Sequence, residues 1–154
     1  LKILSHQSYG ADKTCLLRMF NSLVKSRLDY GSVVYGSASK TALKMLDPVL
    51  HLGLRLATGA FRTSPTQSLY VEADQRCLEH QRIYTDLMYA LKLKSHPNNP
   101  CNVIVNDTAG FNHFVNRPSI SMPFSLRVKT ETEELGVSLN NTYKTTITDF
   151  VAPW

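Results

Sequence analysis

The stretch LDPVLHLGLRLATGAFRTSPTQSLYVEAD, residues 46–74, decides the fold class. Asp47-Pro48 joins a good helix cap to a residue suited to the first helical turn, so a helix starts there. The alternative is one longer helix kinked at Pro48. Val49, Leu50, Leu52, Leu54, Leu56 and Ala57 then form a broad apolar face that we expect to be buried, with His51, Arg55 and Thr58 on the narrow remainder. Gly59 supplies a stop. Phe61 packs the corner, and Ser64-Pro65 repeats the cap-and-proline start for a short second helix.

Working outward, residues 11–31 (ADKTCLLRMFNSLVKSRLDYG) read as a helix. Leu16, Phe20, Leu23 and Val24 recur at helical spacing, with Met19 and Leu28 alongside, and Gly31 closes the run. Arg18, Asn21, Ser22 and Lys25 lie on the other face. SVVYGSAS, residues 32–39, is a short strand or a turn, and KTALKML, residues 40–46, starts another helical pattern. Downstream, the longest helix is expected from Gln75 to Lys94. Leu78, Ile83, Leu87, Met88 and Leu91 turn to the core, while Glu79, Arg82 and Asp86 face outward as local ion pairs. SHPNNP, residues 95–100, breaks it. Beyond, Asn, Pro, Ser and Gly mix with isolated aromatics without a sustained period, except for one amphipathic helix near 124–135 closed by Gly136. The expected fold class is therefore mainly α: a small helical bundle over residues 1–96, then a loosely structured, irregular connector over 97–154.

Composition narrows the function. The 154 residues suffice for one domain with a core. No run approaches the ~20 apolar residues of a membrane span, so no membrane partner is expected. The chain opens on Leu1 without a signal-peptide pattern, and we expect it to be an internal piece of a longer protein. Cys15, Cys77 and Cys101 are odd in number and lack zinc-ligand spacing, which points to reduced thiols. Residues 1–64 hold nine Lys and Arg against three acids, whereas residues 101–154 hold four against five. The whole positive excess lies in the first two fifths, which suits an anionic partner.

No motif for catalysis emerges. Metal-assisted phosphoryl transfer needs clustered carboxylates. The only dense group, Glu131, Glu133 and Glu134, sits on a helix read as a solvated face. His6, His51, His80, His96 and His113 lack mutual metal-site spacing, leaving His51 beside Arg55 as the one pair to watch. Tyr30, Tyr35, Tyr84, Tyr89 and Phe61 are of a type that stacks bases, but such aromatics more often fill cores.

Three blocks in order resemble a known family. LLRMFNSLVKSRLDYGSVVYGSAS, then LKMLDPVLHLGLRLATGAFRTSPTQSLYVEAD, then LEHQRIYTDLMYALKLKSHPNNP are similar to the segment after the polymerase palm in non-LTR (LINE-type, jockey-like) retrotransposon reverse transcriptases. The pattern falls on Tyr30-Gly31, Gly53 to Pro65, Ser68 to Ala73 and Leu78 to Arg82, covers roughly residues 1–100, and continues faintly to Ala152-Pro153-Trp154. The palm's Tyr/Phe-x-Asp-Asp pair is absent, and Leu28-Asp29-Tyr30-Gly31 carries a single acid. The resemblance implies a fragment of an RNA-directed DNA polymerase: a thumb/connection region over 1–96 and a run-up to a ribonuclease H domain. It implies no catalytic residue or cofactor in this chain, the parent's Mg2+ being held upstream, and inactivity in isolation. The implied partners are an RNA–DNA or DNA duplex and the palm and ribonuclease H domain of the same polyprotein. The implied location is intracellular, in cytoplasm and nucleus, within a retrotransposon particle. Arg18, Asn21, Ser22 and Lys25 form one expected phosphate-facing stripe, and Arg55 with Thr58 a second. Arg62 either closes carbonyls at a helix end or reaches a phosphate. The alternative function is a helical protein-interaction module with no nucleic-acid contact.

Overall fold

The computed structural model describes residues 2–6, 10–96, 98–107, 109, 111–116 and 120–139. Among these the chain is mainly α-helical, with no strand, and builds a small helical bundle. Helix α1 (Lys13–Phe20) is capped by Asp12, whose carboxylate accepts from the Thr14 amide at 3.2 Å. It runs through a π-helical turn, Asn21–Lys25, into α2 (Ser26–Asp29). Gly31 takes φ +71°, the left-handed conformation glycine reaches without strain, and ends the run.

The stretch read as a short strand or turn is helical, α3 (Ser32–Tyr35). Helix α4 (Lys40–Lys44) is capped by Ser39. Helix α5 (Asp47–Thr58) begins at Asp47-Pro48, and Leu46 before it stays in the right-handed helical region, so the proline starts a helix without a sharp break. Gly59, at φ +69°, closes it. Helix α6 (Thr66–Glu72) follows Ser64-Pro65, and α7 (Leu78–Lys94) is the longest element. Then come α8 (Cys101–Asn106), α9 (Phe111–Val115) and α10 (Phe124–Leu135), the last ended by Gly136. The expectation for residues 140–154, including Ala152-Pro153-Trp154, lies outside the described residues.

Two apolar clusters hold the bundle. Phe20 of α1, Leu50 and Leu54 of α5, Leu69 of α6, Ala73 and Leu78 form the first, with Leu17, Val24 and Leu28 against it. The Phe20 ring lies where a Cβ on Gly53 would stand, so glycine at that position is what lets α1 and α5 approach. Ala90 of α7, Val128 of α10 and Leu139 form the second, with Leu87, Leu91 and Phe124.

Face assignments on three helical runs differ from expectation. Leu23 is 68% exposed. Residues 16, 20, 24 and 28 recur every four positions, a spacing that drifts about 40° per step on a regular helix. The wider π turn absorbs that drift and keeps Val24 and Leu28 inward while Leu23 swings out. On α5, Leu50, Gly53, Leu54 and Ala57 are buried, but Val49 and Leu52 are exposed. On α7, Met88 is exposed and Asp86, expected at the surface, is only 2% exposed.

Asp86 is buried because its partner comes from far along the chain. Arg127 of α10 meets its Oδ2 at 3.1 Å. The same guanidinium donates to the Val33 carbonyl of α3 at 2.8 Å, closing one of that helix's last carbonyls, and to Ser37 Oγ just beyond it at 3.0 Å. Its Nη1 passes 2.8 Å from where a Cβ on Gly36 would sit. Burial raises the Asp86 carboxyl to about 6 in spite of Arg127 and Arg82 beside it. Glu131, read as solvated, is half-buried one turn beyond Arg127. Burial, with Asp86 adding like charge, raises it to about 7.

Candidate nucleic-acid interface

The first expected stripe divides on inspection. Arg18 is exposed, and Ser22 is exposed with its hydroxyl donating to the Met19 carbonyl at 3.2 Å. Asn21 is half-buried, with an enclosed Oδ1 that accepts no hydrogen bond. Lys25 is largely buried and its ammonium meets Asp29 Oδ2 at 2.7 Å, so its charge is already neutralised one helical turn away. Lys25 also borders a polar groove of about 590 Å³ with Tyr70, Asp74, Arg76 and Gln81. Arg76 there lies over the Tyr84 ring, 4.6 Å from its centre.

The second stripe turns out to be internal joinery. Arg55 Nη2 donates to the Ser64 carbonyl at 3.1 Å and so fastens the end of α5 to the GAFRTSP turn. Thr58 Oγ1 donates to the Leu54 carbonyl at 2.8 Å. Arg62 is exposed at the edge of a second groove. His51 Nε2 and the Tyr70 hydroxyl stand 2.6 Å apart with the rings edge to face, tying α5 to α6. Burial raises the Tyr70 phenol above its usual value, with Asp47 adding to the rise.

The aromatics also divide. Tyr30 presents its ring to solvent, and so does Phe61, which was expected to pack the corner after Gly59 and instead is 81% exposed. Tyr35 donates its hydroxyl to the Leu28 carbonyl, Tyr84 carries Arg76, and Tyr89 meets Phe124 edge to face at 5.5 Å between ring centres. Among the described residues, no three of His, Cys, Asp and Glu stand close enough to hold a metal ion. No helix among them is long and apolar enough to cross a membrane.

Set against protein-family models, curated proteins and solved structures, the chain has no match. Lys13 spends its charge on Glu72, linking α1 to α6 and holding that carboxyl below its usual range by a hydrogen bond. Arg18, Arg27, Lys40, Lys44 and Arg62 are exposed and form no ion pair among the described residues. Arg27, Lys40 and Lys44 were not among the expected contacts. The signal that could have found them was the charge excess itself, since Asp29 and Glu72 cancel Lys25 and Lys13 and leave the rest to carry it.

Proposed function

We propose that this chain is a non-catalytic helical segment of an RNA-directed DNA polymerase that helps grip the template–primer duplex through its backbone phosphates. The observation that supports it is the set of exposed cations on the first helices that have no ion pair among the described residues, Arg18 and Arg27 above all. A sequence-independent grip needs Lys and Arg held by a rigid element and free to displace condensed counterions. Helix α1 is rigid in this sense, because Phe20 anchors it on Gly53 of α5. The polymerase as parent, its upstream palm with Mg2+, and the particle it belongs to rest on the sequence resemblance alone.

The test is a titration of the chain against RNA–DNA hybrid at several salt concentrations. Replacing Arg18 and Arg27 together by Ala should weaken binding equally for all sequences and flatten the salt slope by about 2 units. Lys25→Ala should leave the slope almost unchanged, because Asp29 already neutralises that ammonium. Circular dichroism checks that each variant stays helical. An unaltered slope in the folded double variant sinks this reading.

A further inference from the structure

The outward face of α5 carries a second apolar stripe that the bundle leaves uncovered. Met45 (74% exposed), Val49 (45%), Leu52 (60%) and the half-buried Leu56 recur at spacings of four, three and four. Met45 and Leu46 keep right-handed helical backbone between α4 and α5, so the stripe is not interrupted at the junction. Past Gly59, the half-buried Ala60 adjoins the stripe in a shared groove. Leu52, Leu56 and Ala60, with Arg55 and Arg62, line a groove of about 490 Å³. Contiguous exposed apolar surface of this kind marks an interaction site rather than ordinary scatter.

We propose that this stripe docks an amphipathic helix whose flanks are acidic. Two features select that occupant. The alternation of four and three is the spacing by which one helix accepts the side chains of another in knobs-into-holes packing. The stripe from Met45 to Leu56 is about 16 Å long, which matches about three turns of a partner helix. The second feature is charge. From residue 40 to residue 62 the chain holds Lys40, Lys44, Arg55 and Arg62 against Asp47 alone. Lys40, Lys44 and Arg62 are exposed, while Arg55 is half-buried and fastened to the Ser64 carbonyl, so the first three present the charge. A second copy of the same face would bring like charges together, whereas glutamates or aspartates beside the partner's apolar stripe meet these cations. This surface is separate from the grip proposed for Arg18 and Arg27.

The probe is a fluorescent synthetic helical peptide of about 20 residues, with leucines at alternating spacings of three and four and glutamates flanking them. Its counterpart carries lysines in place of the glutamates. We expect saturable one-to-one binding of the glutamate peptide to the intact chain and at least roughly tenfold weaker binding of the lysine peptide. Leu52→Asp should weaken the glutamate peptide by at least about tenfold. Arg62→Glu should shrink or invert the preference between the two peptides. Both positions are solvent-facing, and circular dichroism confirms the fold. Any of four results overturns the proposal: no saturable binding, equal binding of both peptides, a chain dimer dissociated by Leu52→Asp, or competitive displacement of the peptide by RNA–DNA hybrid. Binding that survives Arg18→Ala with Arg27→Ala, whatever those changes do to the hybrid, keeps this site distinct from the grip.

Discussion

Arg127 joins three segments that are remote in sequence, and its setting has a pH consequence. Asp86 and Glu131 both hold protons more tightly folded than in an unfolded chain, with values moving from 3.8 to about 6 and from 4.5 to about 7. A folded state that binds protons more tightly loses stability as pH rises. The contribution is fully present below the ordinary carboxylate values and is lost as pH climbs through 6 to 7. Urea midpoints of the native chain should therefore fall across this window relative to those of Glu131→Gln, which removes one titrating group. Parallel midpoint curves for the two proteins would show that Glu131 does not titrate there. Gly53 offers a second test at this scale. Alanine is the better helix former by about 1 kcal/mol, yet its Cβ would collide with the buried Phe20 ring. Overpacking wins, and Gly53→Ala should destabilise by about 1–3 kcal/mol in urea denaturation. Neither setting was legible in the sequence. Asp86 looked like one member of a local ion-pair series, since nothing nearby announces an arginine 41 positions on. Nothing local to α5 marks Gly53 as the seat of the Phe20 ring.

At the scale of elements the sequence was more informative, because starts and stops are local chemistry. Asp47-Pro48, Ser64-Pro65, Gly31, Gly59 and Gly136 all mark boundaries close to those observed. The helix near 124–135 is present as Phe124–Leu135. Faces were harder to read than ends. A helix apolar on two sides, such as α5, has no single period from which to choose the inner one. The segment from Lys13 to Asp29 changes its own period at the π turn. That turn behaves as one inserted residue. Deleting Ser22, whose side chain is exposed, should yield an uninterrupted α-helix with Val24 and Leu28 still inward, and the variant should fold with far-UV dichroism close to native. Deleting Leu17, within the regular turns, should rotate Phe20 away from Gly53 by about 100° and abolish cooperative unfolding. Failure of both deletions alike would remove the insertion account.

For the whole molecule, the consequence of Arg127 is one of timing. Phe20 reaches Leu50 and Leu54 across a short stretch of chain, and Leu69, Ala73 and Leu78 follow closely. The bonds from Arg127 to Val33 and Ser37 instead close loops of 94 and 90 residues. Long closures cost more entropy before any contact returns it, so they form late. The α1–α5–α6 cluster should be built in the folding transition state, with α10 docking after the barrier. Arg127→Met should then speed unfolding markedly while leaving the folding rate nearly unchanged, as stopped-flow chevrons would report. How long the native chain survives before opening is accordingly governed by its last-placed helix, and a substitution that tightens α10 should lengthen that lifetime without making the protein fold any faster.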